Sequence, residues 1–263
     1  GATMTKLNEI ELFLLDMDGT IYLENDLFDG SLEFINKIIK ENKKYVFMTN
    51  NSSKSKTVYI NKLTKMNIPC SYDNIFTSGM AMGVYLHENY PNKNVYLVGT
   101  NALKDELLSY NVNIVNDNPD IVVVGFDREL NYEKLEKACK FLCDGAIFLA
   151  TNVDYVCPIE NKRYIPDCGS ICHMLTVATN KKPKFIGKPD PSMIYLLSEK
   201  FGIPCSKIAV IGDRVYTDIA SGYNAHATTI CVLSGESTME TINDSEIKPD
   251  YIFNSIKDII DLI

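Results

Sequence analysis

The sequence has no excess of positive charge and no long apolar run, and each absence disfavours a class of function. Its 26 Lys and Arg residues are outnumbered by 34 Asp and Glu residues, for a net charge of −8. A nucleic-acid-binding protein normally needs a basic face, so this balance disfavours a nucleic-acid partner. No apolar run approaches the ~20 residues that span a bilayer, and the amino terminus lacks a basic-then-apolar signal pattern. We therefore expect a cytoplasmic protein with no membrane partner.

Histidine is scarce, and the cysteines lack the spacing of metal ligands. Of the 3 histidines, His87 and His226 look like helix-surface or packing residues. Cys168 and Cys172 have the i, i+4 spacing of one helix face, and no second Cys or His pair has zinc-ligand spacing. Because no secretion signal is present, we expect the 8 cysteines to be reduced and mostly buried. The sequence therefore disfavours a thiolate metal site.

Short apolar runs alternate with helical patterns along most of the chain. With 263 residues and 46% hydrophobic content, the chain can fold as one large domain or two smaller ones. Strands that alternate with helices predict a parallel α/β organisation. Helices are predicted over 31–42, 54–66, 81–89, 103–110, 132–143, 192–201 and 219–224, with a loop over 151–167 and a last helix after the strand at 251–253.

The segment LFLLDMDGTIY, over 12–22, predicts a catalytic site. Its four apolar residues indicate a buried strand, and Asp16, Asp18 and Gly19 follow at the carboxyl end of that strand. Residues two apart point to the same side of extended backbone, so both carboxylates can face one small volume. Two unpaired carboxylates would repel each other there, which implies a cation. Tyr22 and the turn at 25–26 form either a mobile flap or a plain hairpin.

Polar residues also follow three other predicted strands. Thr49 and Asn50 follow the second strand, where they belong either to an anion-binding loop or to an ordinary helix N-cap. Lys188 follows one later strand, and Asp213 and Asp218 follow another. In open α/β sheets, ligands bind at the carboxyl ends of strands. The resulting set of carboxylates suits a hard cation such as Mg²⁺, and Lys188 can offset the remaining negative charge.

These four segments resemble the four motifs of the haloacid dehalogenase (HAD) superfamily of phosphohydrolases. They read Asp-Met-Asp-Gly-Thr at 16–20, Thr-Asn at 49–50, Gly-Lys-Pro around position 188, and Gly-Asp-Arg followed by Thr-Asp at 212–218. Three longer motifs are more specific than the superfamily pattern: Thr-Asn-Asn, Gly-Lys-Pro-x-Pro and Gly-Asp-Arg-x-x-Thr-Asp. They resemble the motifs of the 4-nitrophenylphosphatase and phosphoglycolate phosphatase branch. The resemblance extends over essentially the whole chain.

The resemblance implies a role for each motif residue. It makes Asp16 the nucleophile that forms an aspartyl-phosphate, and Asp18 the acid and base that moves the proton. It implies that Mg²⁺ is held by the Asp16 carboxylate, the Asp18 backbone carbonyl and Asp213, with Asp218 bracing them. Thr49 and Lys188 join the catalytic residues, and Lys188 would hold Asp16 and a phosphoryl oxygen together. The implied phosphate-binding and substrate-binding residues are Gly19, Thr49, Asn50, Asn51, Lys188, Asn152 and Asp154.

The resemblance also implies a two-part architecture. A doubly wound, Rossmann-like parallel sheet would be built from 4–80 and 184–263, with a large α/β (type II) cap domain inserted over 81–183. Closure of such a cap would exclude water and bring specificity residues over the phosphate. Within the cap, Asn152, Asp154 and Arg163 are candidates to meet the leaving group, although Asn152 and Asp154 can equally build a turn. Arg214 is interpreted as a brace for the acidic loop.

The activity implied is Mg²⁺-dependent hydrolysis of a small phosphorylated metabolite. Asp18 disfavours dehalogenase chemistry, which has no leaving alkoxide to protonate. The alternatives are a phosphotransferase or mutase that passes the phosphoryl group to another acceptor, and a non-catalytic phosphate-binding regulatory module. Mononucleotides, sugar phosphates, phosphoglycolate and pyridoxal phosphate all remain open as substrates. The sequence also leaves the oligomeric state open, including a homodimer formed through the cap.

Overall fold

A computed structural model describes residues 6–263 as an α/β protein. Its strands in chain order are β1 (Leu12–Leu15), β2 (Tyr22–Leu23), β3 (Asp26–Leu27), β4 (Lys44–Thr49), β5 (Ile75–Thr77), β6 (Asn94–Val98), β7 (Asn113–Ile114), β8 (Ile121–Val124), β9 (Ile147–Ala150), β10 (Val156–Ile159), β11 (Arg163–Pro166), β12 (Lys184–Phe185), β13 (Ile208–Gly212), β14 (Thr228–Val232) and β15 (Tyr251–Phe253). Its α-helices are α1 (Ser31–Lys40), α2 (Lys56–Lys65), α3 (Ser78–Asn89), α4 (Asn101–Ser109), α5 (Tyr132–Cys143), α6 (Cys168–Thr179), α7 (Ser192–Phe201), α8 (Ala220–Asn224) and α9 (Met239–Asp244). None of the helices within 6–263 is long and apolar enough to cross a lipid bilayer.

The chain forms two compact units. Of the described residues, the first unit contains 6–49, together with Lys56–Phe76 and Lys188–Ile263. The second unit contains Asn50–Ser55 and Thr77–Gly187. The roles of core and cap that the resemblance assigned to the two parts of the sequence stay predictions.

The first unit is built on a six-stranded sheet with the order β15-β14-β13-β1-β4-β5. Strand β1 pairs in parallel with β4 on one side and with β13 on the other. From β1 the chain moves outward through β4 and β5, and it later returns to β13 and moves outward through β14 and β15. This reversal of direction is the topological switch point of a doubly wound sheet, and ligands bind there at the carboxyl ends of the strands.

Strand β1 lies in the middle of this sheet and is covered on both faces. All four of its residues are buried. The Phe13 ring packs edge to face against Phe34 of α1, with ring centroids 5.7 Å apart. Parallel strands buried on both faces have continuous apolar sequences instead of alternating ones, which explains the run Leu12–Leu15. Asp16 therefore directly follows a strand that is buried on both faces and paired with a neighbouring strand at both edges.

The second unit has a five-stranded sheet and a hydrophobic core of its own. The sheet has the order β12-β9-β8-β6-β7, and its strands pair in parallel. Its core contains Phe126, Phe141 and Leu175, among other buried side chains. The strands β10 and β11 form a separate antiparallel hairpin whose residues are mostly exposed.

The parallel α/β organisation predicted from the alternation of strands and helices is confirmed. Helices α5 and α7 have the predicted bounds. Helix α3 begins three residues earlier than predicted, because the Thr77 hydroxyl accepts the Met80 N–H and caps the helix at Ser78. Thr100 caps α4 in the same way, through the N–H of Leu103.

The prediction of a loop without regular structure over 151–167 was wrong. That segment contains the hairpin of β10 and β11. Because these short strands are exposed, they lack the apolar alternation by which a half-buried strand is recognised. Helices α6 and α9 were not predicted, and the last helix is a 3₁₀-helix, Ile256–Leu262. The turn predicted at 25–26 lies one residue earlier, at 24–25, and it joins β2 and β3 in an antiparallel hairpin.

Candidate active site

Asp16 and Asp213 follow neighbouring strands at the switch point of the first unit. Strands β1 and β13 pair with Leu15 opposite Ile211. The Asp16 N–H continues this ladder by donating to the Ile211 carbonyl at 3.0 Å. Asp213 directly follows Gly212, the last residue of β13. The parallel pairing therefore brings two carboxylates that are far apart in the sequence to one edge of the sheet.

Asp218 completes a cluster of three carboxylates with Asp16 and Asp213. Each of the three offers an oxygen, and these oxygens lie within 4.8 Å of one another. Asp218 belongs to a π-helical turn, Val215–Ile219, a conformation found frequently at functional sites. Gly212 makes room for it, because a Cβ at this position would lie 2.4 Å from the Asp218 Cβ. We call these three residues the three-carboxylate cluster.

Lys188 supplies positive charge to the three-carboxylate cluster. Its Nζ donates to Asp218 Oδ1 at 2.6 Å and to the Met48 carbonyl at 3.1 Å. The same Nζ lies 3.7 Å from Asp16 Oδ1, which is an ion pair without a hydrogen bond. Lys188 therefore lies between the two carboxylates and is hydrogen-bonded to that of Asp218. The Lys188 side chain is only 5% exposed. One ammonium group cannot balance three carboxylates, and a negative charge remains.

The pKa values of the three carboxyl groups are raised, mainly by burial. Burial raises the pKa of Asp16 to about 7, against the opposing charge of Lys188, and the charge of Asp213 raises it further. Burial also raises the pKa of Asp213. It raises the pKa of Asp218 to about 6, together with the charge of Asp16. A buried carboxyl group in such surroundings favours binding a proton or a cation.

The three-carboxylate cluster fits a divalent cation with oxygen ligands. Asp213 Oδ1 is buried and has no hydrogen-bond partner among the described residues. A buried carboxylate oxygen without a partner is costly unless a proton or a metal ion meets it. Carboxylate oxygens are the ligands that Mg²⁺ prefers in proteins. The orphaned oxygen and the set of donors therefore both fit the cation that the sequence implied.

Asp18 and Gly19 lie in the turn that follows Asp16. The Asp18 side chain is exposed, and its Oδ1 accepts the Glu24 N–H at 3.2 Å. Gly19 has a φ of +90°, and a Cβ there would lie 2.3 Å from Asp213 Oδ2. The Gly19 N–H donates to the Tyr22 carbonyl at 2.8 Å. The resemblance implied that this amide binds phosphate. The structure does not support that role, because the Gly19 N–H already donates its hydrogen bond to the Tyr22 carbonyl.

Thr49, Asn50 and Asn51 lie where β4 ends. Thr49 is the last residue of β4 and is half-buried, while Asn50 and Asn51 belong to the second unit. The Asn51 Oδ1 accepts from the N–H and the hydroxyl of Ser53, at 2.8 and 2.7 Å. These two hydrogen bonds form a local turn over 51–53. Phosphate binding by these three residues stays a prediction.

Within the second unit, Asp154 holds two asparagine side chains. Its Oδ2 accepts from the Asn50 amide at 3.0 Å and from the Asn152 amide at 2.7 Å. Asn152 also donates to Asp167 Oδ1 at 3.0 Å, and it is 1% exposed. Because its amide is buried and donates to two carboxylates, Asn152 fits the turn-building alternative. Substrate contact by Asp154, which is half-buried, and by the exposed Arg163 stays a prediction.

The sequence reasoning missed a loop, residues 234–237, that follows β14. The Ser234 hydroxyl donates to the Gly19 carbonyl at 2.8 Å, and the Glu236 N–H donates to Asp213 Oδ2 at 2.9 Å. Arg214, interpreted as a brace, forms an ion pair with Glu236 through Nε at 2.9 Å. The signal was available, because β14 is parallel to β13 and ends at the same edge of the sheet.

Known protein families match both ends of the chain. A family model described as haloacid dehalogenase-like hydrolase matches residues 13–113. A second model, described as HAD-hydrolase-like, matches residues 185–259. The two matches together include the three-carboxylate cluster, Lys188 and Thr49.

Individual relatives are similar over almost their full length. An acid sugar phosphatase of Staphylococcus epidermidis is 36% identical over 251 residues, which covers 95% of this chain and 96% of that protein. The structure of a 4-nitrophenylphosphatase from Thermotoga maritima superposes with a TM-score of 0.93 at 41% identity, covering 97% of this chain and 98% of the other. A p-nitrophenyl phosphatase from Archaeoglobus fulgidus gives a TM-score of 0.90 at 30% identity, with coverage of 97% and 99%.

Proposed function

The chain is a phosphatase of the haloacid dehalogenase-like hydrolase family, and we propose that it is a Mg²⁺-dependent phosphomonoesterase acting through an aspartyl-phosphate. The observation that carries the proposal is the three-carboxylate cluster beside Lys188 at the switch point of the sheet. The eight cysteines of the chain are in the reduced form, which supports a reducing, cytoplasmic location.

Three residues of the first unit would hold the cation. They are Asp16 and Asp213 through their carboxylates and Asp18 through its backbone carbonyl, while Asp218 would brace the set and stay paired with Lys188. Support comes from the short distances within the cluster and from the orphaned Asp213 Oδ1. When bound, Mg²⁺ supplies positive charge that stabilises the transferring phosphoryl group.

In the first step, Asp16 attacks the phosphorus atom of the substrate. A bond forms between the Asp16 carboxylate oxygen and phosphorus, and the bond between phosphorus and the ester oxygen breaks. Lys188 lies 3.7 Å from Asp16 Oδ1 and offsets charge as the phosphoryl group arrives. Asp18 gives its proton to the leaving alkoxide. Its exposed side chain, outside the three-carboxylate cluster, suits a group that must contact substrate and exchange protons.

In the second step, water hydrolyses the aspartyl-phosphate. The Asp18 carboxylate takes one proton from the water molecule, and the water oxygen bonds to phosphorus. The bond between phosphorus and the Asp16 oxygen breaks at the same time. The products are inorganic phosphate and the original Asp16 carboxylate, so one water is consumed per ester and the enzyme is restored.

A sugar phosphate is the substrate class we propose among small phosphorylated metabolites. Support comes from the relative named an acid sugar phosphatase, which aligns with 95% of this chain. The relatives named 4-nitrophenylphosphatase and p-nitrophenyl phosphatase indicate that a chromogenic ester is a practical test substrate. Selection among sugar phosphates would depend on residues of the second unit, with Asp154 and Arg163 as the candidates.

Phosphate release from 4-nitrophenyl phosphate and from a panel of sugar phosphates tests this proposal. We expect turnover with Mg²⁺, loss of turnover with EDTA, and recovery when excess Mg²⁺ is added. In isotopically labelled water, a hydrolase must place the label in the released phosphate, whereas a phosphotransferase or mutase passes the phosphoryl group to another acceptor. Release without incorporation of label would contradict hydrolysis.

Asp16→Asn is the variant that tests the proposed nucleophile, and Asp29→Asn is its matched control. Asp29 is an exposed carboxylate in an ion pair with Lys257 at 2.8 Å. We expect Asp16→Asn to lose turnover while keeping its fold, and Asp29→Asn to behave as the wild type. Equal turnover by Asp16→Asn and the wild type would reject the mechanism. No turnover by any of the three proteins would favour a phosphate-binding module.

A further inference from the structure

The loop 234–237 contacts both segments that flank the three-carboxylate cluster, yet none of its residues belongs to a predicted motif. On one side, the Ser234 hydroxyl donates to the Gly19 carbonyl at 2.8 Å. On the other side, the Glu236 N–H donates to Asp213 Oδ2 at 2.9 Å, and the Ser237 N–H donates to the Asp213 carbonyl at 3.0 Å. The loop therefore joins the turn after β1 to the turn after β13 by hydrogen bonds.

The backbones of Gly19 and Gly235 lie close to the same oxygen of Asp213, Oδ2. A Cβ at Gly19 would lie 2.3 Å from Asp213 Oδ2, and a Cβ at Gly235 would lie 2.0 Å from it. The Ser234 hydrogen bond links the segments that carry these two glycines. The Asp213 carboxylate is thereby enclosed between two backbone segments that Ser234 fixes to each other.

The two carboxylate oxygens of Asp213 have different surroundings. Oδ2 faces the glycines and accepts the Glu236 N–H. Oδ1 is buried and has no hydrogen-bond partner among residues 6–263. The loop therefore fixes the carboxylate through Oδ2 and leaves Oδ1 available to a cation. Hydrogen bonds that orient a metal ligand in this way are typical of the residues surrounding a metal site.

We propose that the loop 234–237 sets the geometry of the Mg²⁺ site, with Ser234 as its positioning residue. The inference rests on the proposed function, because it presumes that Asp213 binds the cation. Ser234 acts through the backbone. It donates to the carbonyl of Gly19, and Gly19 directly follows Asp18, whose backbone carbonyl is a proposed Mg²⁺ ligand. The Arg214–Glu236 ion pair is partly solvent-exposed, with side-chain exposures of 41% and 66%, so solvent screens it and it should add less than the backbone hydrogen bonds.

Ser234→Ala removes the hydroxyl, and Ser234→Thr retains it. Loss of an outer-shell partner typically weakens metal binding by about 10-fold to 100-fold. We expect Mg²⁺ titrated into the metal-depleted protein in a calorimeter to bind Ser234→Ala at least about tenfold more weakly than the wild type. Ser234→Thr should bind Mg²⁺ as the wild type does. The activation constant for Mg²⁺ in phosphate release should shift by the same factor.

Ser198→Ala is the matched control. Its hydroxyl also donates to a backbone carbonyl, that of Ile203 at 2.6 Å, and it is likewise partly buried, at the end of α7. We expect this variant to bind Mg²⁺ normally. Melting temperatures of the metal-depleted proteins separate a general loss of stability from a specific loss of metal binding.

Gly235→Ala provides a second test that does not depend on the serine. Its new methyl group would meet Asp213 Oδ2, so it should weaken Mg²⁺ binding even where the fold is retained. Wild-type affinity in both Ser234→Ala and Gly235→Ala would overturn the inference, as would an equal loss in Ser198→Ala. A wild-type protein that binds no Mg²⁺ would instead overturn the proposed metal dependence, and this inference with it.

Discussion

At the scale of single residues, Lys188 governs the charge balance of the three-carboxylate cluster. Its side chain and that of Asp218 are 5% and 2% exposed, and their ion pair is 2.6 Å long. Lys188→Met keeps the length of the side chain but leaves buried carboxylates without their cation. Removing one partner of a buried ion pair typically destabilises a protein by about 3–5 kcal/mol. We expect a loss of this size in urea unfolding of the metal-depleted protein.

The same variant should lose catalysis. Removal of one electrostatic contact to a transition state commonly lowers kcat by about 100-fold or more. Lys200→Met is the control, because Lys200 pairs with Asp73 at the surface, where both side chains are at least half exposed. An exposed pair contributes about 0–1 kcal/mol, so this variant should keep stability and kcat. Similar losses in the two variants would show that Lys188 has no special place in the cluster.

Single site residues could be predicted from the sequence where a short motif fixes their spacing. The motifs pointed to Asp16, Asp213 and Lys188, which lie together in the structure. The motifs could not show how hydrogen bonds are distributed. The Gly19 amide, predicted as a phosphate donor, is taken by the Tyr22 carbonyl, and the buried Asn152 amide is taken by two carboxylates. Such partners depend on tertiary contacts that the sequence does not display.

At the scale of elements, the turn after β1 requires a glycine at position 19 for two separate reasons. Its φ of +90° is rarely adopted by L-residues, and a Cβ there would lie 2.3 Å from Asp213 Oδ2. Gly19→Ala should therefore displace Asp213 and abolish activity. Gly145→Ala is the control, because Gly145 has a φ of +102° with nothing within 4 Å of its Cβ position.

Comparison of the two glycine variants separates backbone strain from steric contact. Both should lower the melting temperature, because alanine is strained at positive φ. We expect Gly145→Ala to keep wild-type kcat and Gly19→Ala to lose it. Activity assays and melting curves of both variants measure this. A fully active Gly19→Ala would show that the Asp213 carboxylate needs no enclosure.

Element types followed from apolar periodicity for several buried elements, although the partly buried helix α6 was missed. The run at Leu12–Leu15 and the helix at Tyr132–Cys143 pack into cores, so their apolar residues recur at the spacing of the element. The hairpin of β10 and β11 is exposed, with Tyr164 at 65% exposure, so no apolar pattern marks it. Apolar periodicity therefore could not detect this exposed hairpin.

At the scale of the whole molecule, Mg²⁺ should stabilise the fold, and by more at higher pH. In the metal-free protein, burial raises the pKa values of Asp16 and Asp218 from 3.8 to about 7 and about 6. A carboxyl group whose folded pKa is raised costs no stability while it is protonated in both states. Its cost grows as the pH rises from the unfolded value through the folded one. The metal-free fold therefore loses stability between about pH 4 and about pH 7.

Melting curves with Mg²⁺ and with EDTA test this linkage. The gain in melting temperature on adding Mg²⁺ should be larger at about pH 8 than at about pH 5.5, where protons still occupy part of the cluster. Asp213→Asn, which removes one charge from the cluster, should reduce the gain at the higher pH. An equal gain at both pH values would contradict the view that the cluster holds the cation.

The parallel α/β fold of the whole molecule could be predicted because strands and helices alternate along the chain. The division into two compact units is harder to predict from sequence. The chain passes between the units at four places, after Thr49, Ser55, Phe76 and Gly187. The short segment Asn50–Ser55 belongs to the second unit although it follows a strand of the first. Contacts distant in sequence decide such assignments, and they leave no local signal.

In the proposed mechanism, Asp16 carries the phosphoryl group during turnover, and this aspartyl-phosphate can be trapped. The enzyme is mixed with 4-nitrophenyl phosphate and Mg²⁺, quenched in acid within the first turnover, and digested for mass spectrometry. We predict a phosphoryl adduct on the peptide that contains Asp16, conversion of that residue to homoserine by borohydride, and no adduct in Asp16→Asn. Turnover without any adduct on Asp16, or an adduct on a different residue, would rule out Asp16 as the nucleophile.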